Sequence, residues 1–208
     1  MSKLTYPIIY YINLEHRIDR KKHILGQLKQ MDYPIDRVNR IDAVKHEFGG
    51  LGCSRSHIKT LETFLSTDED RCIVLEDDFT FFPNMYDSFH HFIVHQKDLP
   101  DPWDIIMLSS NTIQEMIHSS HFTKCINAQT TSGYMIKRDF AKRLVENFKE
   151  GESLLSKTFQ IGYEVYGLDQ YWKRMQPSSH WYICKPKIGH QLDNDYSDIE
   201  RRVVSYGV

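Results

Sequence analysis

Residues Cys72 to Phe79 read C-I-V-L-E-D-D-F, a short apolar run that stops at three consecutive carboxylates, Glu76, Asp77 and Asp78. A near-continuous apolar run of this length fits a parallel strand buried on both faces. The carboxyl end of such a strand opens onto the crevice where open α/β sheets bind ligands. Three adjacent acids repel one another unless something cationic sits among them, and hard divalent ions such as Mg²⁺ or Mn²⁺ prefer carboxylate oxygens. The junction is therefore a candidate metal-assisted site. The same letters also fit a solvated acidic turn in which Asp77 or Asp78 caps the next helix.

The surrounding elements decide whether such a crevice exists. Tyr6 to Leu14 is a β-rich run, and Ile18, Ile24, Leu25, Leu28 and Met31 then recur at helical spacing. Arg37 to Val44 alternates as a second strand, Gly49-Gly50-Leu51-Gly52 breaks the chain, and Cys53 to Leu65 reads as a helix. The Cys72 to Leu75 strand follows. Pro83 opens a helix carrying Phe89, Phe92 and Ile93, and Pro100 to Pro102 closes that unit before a strand over Trp103 to Leu108. Thr130 to Ile136 reads as a strand, Asp139 to Phe148 as an amphipathic helix, Gly167 to Met175 as a short helix, and Trp181 to Cys184 as a late strand. Strands alternating with helices imply an α/β fold with a mostly parallel central sheet flanked by helices.

The chain has 208 residues, which suits one domain over 1–208 with a sizeable core. A net charge of -2 gives no overall field for nucleic acid or anionic membranes, so any basic site must be local. Cys53, Cys72, Cys125 and Cys184 lack C-x-x-C spacing, which argues against a zinc knuckle, a redox pair or a disulfide scaffold and fits a reducing compartment. The apolar run Pro7 to Ile12 is too short to span a bilayer and lacks the features of a signal peptide. The expectation is a cytoplasmic chain without a transmembrane segment.

Several separated segments, in order and at matching spacing, carry a likeness across most of the chain: Y-I-N-L-E-H-R-I-D-R, R-V-N-R-I-D-A-V, G-L-G-C-S-R-S-H, V-L-E-D-D-F, T-S-G-Y-M-I, G-L-D-Q-Y and Q-L-D-N-D-Y-S-D-I. Together they resemble glycosyltransferase family 25, which includes lipooligosaccharide galactosyltransferases and collagen galactosyltransferase domains. The resemblance implies a GT-A-type, Rossmann-like fold. It also implies inverting transfer of a hexose, galactose or glucose, from a UDP-sugar with Mn²⁺ or Mg²⁺. The implied acceptor is a hydroxyl on a glycan, a lipooligosaccharide or a collagen-like hydroxylysine. One position departs: family members commonly carry Trp four residues after the histidine of S-H, where this chain has Leu61.

A diphosphate-sugar donor needs a counter-charge because its β-phosphate gains negative charge as the glycosidic bond breaks. If the strand continues through E-D-D, Glu76 and Asp78 share a face and Asp77 points the other way. Asp78 is then the expected direct metal ligand, with Glu76 acting through water or on the donor's ribose and Asp77 as an alternative. His190 in I-G-H-Q is the candidate late ligand, against an ordinary surface histidine among eleven. Arg17 and Arg20 follow the first strand where guanidinium groups grip phosphate or stack on a base, and Asn13 is placed to bond the uracil. Without the family likeness, a polar helix start with an Arg/Asp pair through Asp19 reads better. Ser56 and His57 fall in the first turns of a helix whose glycines permit close approach to the donor, although the segment matches neither a P-loop nor G-x-G-x-x-G.

Inverting displacement needs a base apart from the metal cluster. Asp169 in G-L-D-Q-Y is the candidate; a helix-start carboxylate favoured by the helix dipole is its rival reading, and Glu164, Asp195 and Asp198 are further contenders. The closing S-D-I with Arg201 and Arg202 fits either a mobile cover over the donor or a frayed terminus. Tyr134, Tyr163, Tyr166, Tyr171, Trp172 and Trp181 are core residues or sugar-stacking ones. Two other functions compete: a metal-dependent nucleotidyl or phosphoryl transferase, and a non-catalytic sugar-nucleotide-binding module.

Overall fold

A computed structural model of the chain describes residues 6–193, 195–199 and 202–204. Strand β1 (Ile8–Asn13) leads through helix α1 (Ile18–Gln30) to β2 (Val38–Asp42), and α2 (Gly49–Leu65) leads to β3 (Arg71–Glu76). A short β4 (Phe79–Phe81) precedes α3 (Tyr86–Ser88), which runs on as a π-helical turn over Phe89–Val94. Strands β5 (Ile105–Met107), β6 (Asn111–Ile117), β7 (Phe122–Gln129) and β8 (Gly133–Lys137) follow, then the long α4 (Arg138–Thr158). The chain ends through α5 (Tyr163–Tyr166), α6 (Leu168–Tyr171), β9 (Trp181–Cys184), β10 (Gly189–Gln191), β11 (Asp195–Ser197) and β12 (Arg202–Val204).

One eight-stranded sheet, in the order β2-β1-β3-β8-β5-β9-β7-β6, carries the fold. Six of these strands run in one direction, while β8 and β7 are reversed. Alternation along the strands sorts two cores. Ile9 and Tyr11 of β1 join Ile73 and Leu75 of β3 beneath α1, whose Ile24 and Leu28 are buried there. Tyr10 and Ile12 join Cys72 and Val74 on the other side, under Leu61 and Phe64 of α2 and Phe140, Leu144 and Phe148 of α4. Leu61, where relatives commonly carry Trp, is thus a fully buried core residue. Fully burying each such side chain contributes roughly 1.5–3 kcal/mol. Arg138 ties the helix α2 exit to α4 by donating to the carbonyls of Leu65 and Glu69 at 3.0 and 2.7 Å, satisfying groups that a helix end leaves open.

Several local expectations change. Gly49 to Gly52 do not break the chain but form the first turn of α2. A Cβ on Gly52 would meet the Val44 carbonyl oxygen at 2.6 Å, and one on Gly49 would meet Ile199 Cα at 2.6 Å, so close backbone approach is what these glycines allow. The strand expected from Thr130 begins only at Gly133, which leaves 130–132 as a loop at the sheet edge. The helix expected over Asp139 to Phe148 extends to Thr158. The hairpin β6–β7 is an addition, set by a turn in which Ser119 Oγ accepts from the amides of His121 and Phe122. No helix among the described residues is long and apolar enough to cross a membrane.

Candidate functional site

β1, β2 and β3 run parallel and end together, with Asn13 paired in register to Asp42 and Ile12 to Glu76. The chain leaves β1 toward β2 on one side and returns through α2 to β3 on the other, so the crevice above β1 and β3 is a switch point of the sheet. A cavity of about 310 Å³ lies there, lined among others by Arg20, Asp77, Asp78, Gln191, Tyr196 and Asp198.

The three acids do not alternate along a continuing strand. β3 ends at Glu76, and Asp77 and Asp78 form a turn before β4. This corrects the expected pairing of Glu76 with Asp78: it is Asp77 and Asp78 that share a partner, Arg20, whose Nη1 lies 3.2 Å from each. Arg20 Nε also donates to Asp195 at 2.8 Å. Asn13 Nδ2 donates to Asp77 at 2.7 Å, and Gln191 Nε2 donates to Asp78 Oδ2 at 3.1 Å. Burial and the nearby Glu76 and Asp77 carboxylates outweigh Arg20 and push the Asp78 carboxyl up to about 7. Burial also raises Asp77 despite Asn13 and Arg20. The other Asp78 oxygen, Oδ1, is buried with no hydrogen-bond partner. An orphaned carboxylate oxygen beside a second aspartate, where positive charge is in deficit, is a donor set that fits a hard divalent cation.

Glu76 turns the other way. Its Oε1 accepts from the Thr131 hydroxyl at 2.6 Å and lies 3.3 Å from His57 Nε2. Burial would raise this carboxyl, but His57 and Thr131 together hold it below its ordinary value. His57 is itself buried on α2, stacked on Tyr134, whose hydroxyl lies 3.2 Å from Nδ1.

A second cavity of about 220 Å³ adjoins the first, since Cys53, Glu76, Gln191 and Ile199 line both. Asp169 lies in it at the start of α6, and its Oδ2 accepts from the Thr130 amide at 3.0 Å. Burial raises the Asp169 carboxyl, opposed by that amide and by Lys173. Thr130 takes φ 83°, a region that a β-branched residue rarely adopts, at the point where it faces the candidate base.

Of the residues singled out from sequence, Arg20, Ser56, His57, Glu76, Asp77 and Asp78 line the first cavity and Asp169 and Glu164 the second. Ser56 is engaged internally, accepting from the Val44 amide at 2.8 Å and donating to the Gly52 carbonyl at 2.7 Å, so it locks a loop to α2. Asn13 is not in either lining: its amide donates to Asp77 and to the Arg17 carbonyl, and its oxygen accepts from Arg40 at 3.0 Å. Arg17 likewise lies outside the linings, bonded to Asp19 at 2.9 Å and Asp198 at 2.6 Å. These two side chains hold the acids and the closing segment. His190 is also outside; it stacks on Phe82, 4.6 Å between ring centres, because alternation on β10 turns its neighbour Gln191 toward Asp78. Of the other contenders for the base, Asp198 lines the first cavity and is held by Arg17, and Asp195, outside both linings, is held by Arg20.

The closing S-D-I does reach the first cavity, where Ser197, Asp198 and Ile199 form part of the wall. Arg201 lies outside the described residues, and Arg202 sits in β12 paired with Ser197. Tyr134, Trp172 and Trp181 are core, whereas Tyr163 lines the second cavity. Gln191, Thr130 and Thr131 escaped the sequence reading; only the T-S-G and I-G-H-Q segments hinted at them.

The family model described as glycosyltransferase family 25 (LPS biosynthesis protein) matches residues 47–156. A "Glycosyltransferase 25 family member" of Anopheles gambiae is 23% identical over 174 residues, 69% of this chain and 29% of that protein, so the chain spans less than a third of that relative's length. Among solved structures, a glycosyltransferase involved in the glycosylation of the major capsid of PBCV-1 superposes with a TM-score of 0.51 at 14% identity, covering 95% of this chain and 97% of the other. The fold is therefore GT-A-like, a mixed α/β architecture on a central, mostly parallel sheet.

Proposed function

The chain belongs to glycosyltransferase family 25, and from that premise we propose that it transfers galactose or glucose from a UDP-sugar to a hydroxyl, with inversion at the anomeric carbon and with Mn²⁺ or Mg²⁺. The acceptor class is a glycan, lipooligosaccharide or protein hydroxyl. One observation carries this reading: two cavities share the Glu76 wall, the paired Asp77 and Asp78 on one side and the separate carboxylate Asp169 on the other. That is the division of labour a direct displacement requires, a stabilised leaving group opposite a base.

Asp78, with Asp77 beside it, would hold the cation, which when bound supplies counter-charge to the departing diphosphate. Arg20 sits against both carboxylates and keeps a fixed positive charge at the same place. Gln191 and Asn13 hold the two aspartates in position by hydrogen bonds. On the second side Asp169 accepts the acceptor hydroxyl's proton as that oxygen bonds to the anomeric carbon and the bond to the β-phosphate oxygen breaks. UDP and the glycoside leave as products. Tyr163 and Gln170 in the second cavity supply an aromatic face and a polar group suited to a sugar.

The test is UDP release and sugar transfer from UDP-galactose and UDP-glucose with Mn²⁺ and a panel of hydroxyl acceptors, with NMR assignment of the product anomer. Asp78→Ala is expected to lower kcat/KM by about 10²-fold or more. Full turnover by that variant or in a chelator, or release of pyrophosphate in place of UDP, would overturn the reading.

A further inference from the structure

Apart from the paired aspartates, a different set of ligating groups converges on the wall between the cavities. Cys53 and His57 are four residues apart on α2 and so lie on one helix face. Glu76 approaches them from the end of β3, and one ligand atom from each of Cys53, His57 and Glu76 falls within 4.8 Å of the others. We propose that this trio is a second metal site, selective for a borderline-soft divalent ion of the Zn²⁺ class and distinct from the hard-cation site at Asp78.

The separations support it. His57 Nε2 and Glu76 Oε1 lie 3.3 Å apart, long for a charge-assisted hydrogen bond. Two tetrahedral zinc ligands at their usual bond lengths stand about 3.3 to 3.6 Å apart, so an ion fits between these two atoms, and the Cys53 thiol, within 4.8 Å of both, would close onto it. The chemistry also discriminates. A thiolate and an imidazole favour zinc-like ions, whereas the oxygen-only aspartates favour Mn²⁺ or Mg²⁺. Behind the site, the Tyr134 hydroxyl oxygen can accept from His57 Nδ1–H, the tautomer that leaves Nε2 unprotonated and free to face the metal. Three protein ligands leave a fourth position, and because Cys53 and Glu76 line both cavities, that position faces them. Coordination deprotonates the thiol outright, so its being neutral in the free protein is no obstacle.

The experiment titrates the full chain, reduced and free of Mn²⁺, with Co²⁺ as a spectroscopic stand-in for Zn²⁺. The expected result is a thiolate-to-cobalt charge-transfer band that saturates at one equivalent of Co²⁺ bound by the trio, is displaced by Zn²⁺ and is absent in Cys53→Ser. Glu76→Gln should keep the band but raise the Co²⁺ concentration that half-saturates it at least tenfold, and Asp78→Ala should leave the band and its titration unchanged. As a check that needs no variant, Zn²⁺ should protect Cys53 from alkylation, read by mass spectrometry; Cys53 is the partly buried thiol, while Cys72, Cys125 and Cys184 are buried. A wild type that binds Co²⁺ without the band, a band that survives in Cys53→Ser, or alkylation of Cys53 at an undiminished rate in saturating Zn²⁺ would each overturn the proposal.

Discussion

The two cavities share a wall, yet opposite means hold them in shape. The first is cross-linked by charge: Arg17, just before α1, and Arg20, in its first turn, reach Asp77, Asp78, Asp195 and Asp198, joining the sheet edge to the closing segment. The second is held mostly by neutral donors, a backbone amide on Asp169, a threonine hydroxyl on Glu76 and the Gln170 amide reaching Gln129 at 3.2 Å, with the Lys173 ammonium donating to Gln129 and Gln170 at 2.7 Å. A cavity built of paired charges can exchange its internal partners for a charged ligand, because each arginine or aspartate released from one partner is available to another. A cavity built mostly of neutral contacts instead keeps one carboxylate poised and, among the described residues, pairs it with no arginine. The difference matches a diphosphate on one side and a neutral hydroxyl on the other.

The largest effect should separate the two on rate. Asp169→Asn retains an oxygen for the Thr130 amide but cannot take a proton, so kcat should fall by about 10²- to 10⁴-fold while donor KM stays nearly constant. The pH profile sharpens the point. A base works only when ionised, and burial raises the Asp169 carboxyl. The acidic limb of kcat should therefore lie above the ordinary carboxylate range, with activity lost as pH falls through it. An Asp169→Asn protein with an unchanged limb would assign that limb, and the base, elsewhere.

Next comes stability, where the order should reverse. Arg20→Met leaves Asp77, Asp78 and Asp195 without their shared cation, and breaking such a largely buried network typically costs about 3–5 kcal/mol. Denaturant midpoints should fall accordingly for Arg20→Met, recover in part with Mn²⁺, and change little for Asp169→Asn. Equal losses for both variants would end the distinction between a charged and a neutral cavity.

How much of this was legible in the sequence follows the same division. The apolar run into Glu76, Asp77 and Asp78 and the arginines after β1 are local signals, and they marked the first cavity because strand ends and the loops after them are adjacent in a parallel sheet. What sequence could not show is where each side chain turns. Glu76 and Asp78 were expected on one face, but the strand stops at Glu76, and a two-residue turn obeys no alternation. His190 and Gln191 are one residue apart, and which faces Asp78 depends on the pairing of β10 with β4, a long-range register. The second cavity left weaker traces. Asp169 stood out in G-L-D-Q-Y, but Thr130 and Thr131 reach it only because β8 runs antiparallel to β3 and brings its leading loop to the same edge. Cys53 and His57 show their spacing in the sequence, while Glu76 joins them only in the fold.

A smaller perturbation tests the closing segment. Alanine at Gly49 would place a Cβ 2.6 Å from Ile199 Cα, which forces residues 198–199 away from α2. Overpacking of this kind costs about 1–3 kcal/mol. If that segment covers the donor, the loss appears mainly in binding, as roughly a tenfold rise in donor KM with a smaller change in kcat. An unchanged donor KM would mean that the segment covers nothing used in catalysis.

The smallest effect falls on the second cavity and runs in the opposite direction. Thr130 holds φ 83° with its amide on Asp169. A β-branched residue there stores about 1–3 kcal/mol of backbone strain. Glycine removes that strain but loses about 0.5–1 kcal/mol through the extra freedom of the unfolded chain. Thr130→Gly should therefore range from neutral to stabilising by about 2.5 kcal/mol in denaturant unfolding, the balance of those two terms. Its kcat should nonetheless decline, because a freer backbone holds the Asp169 carboxylate less firmly. A clear loss of stability would mean that the threonine side chain contributes more than its backbone costs, and that the loop beside the base is not strained.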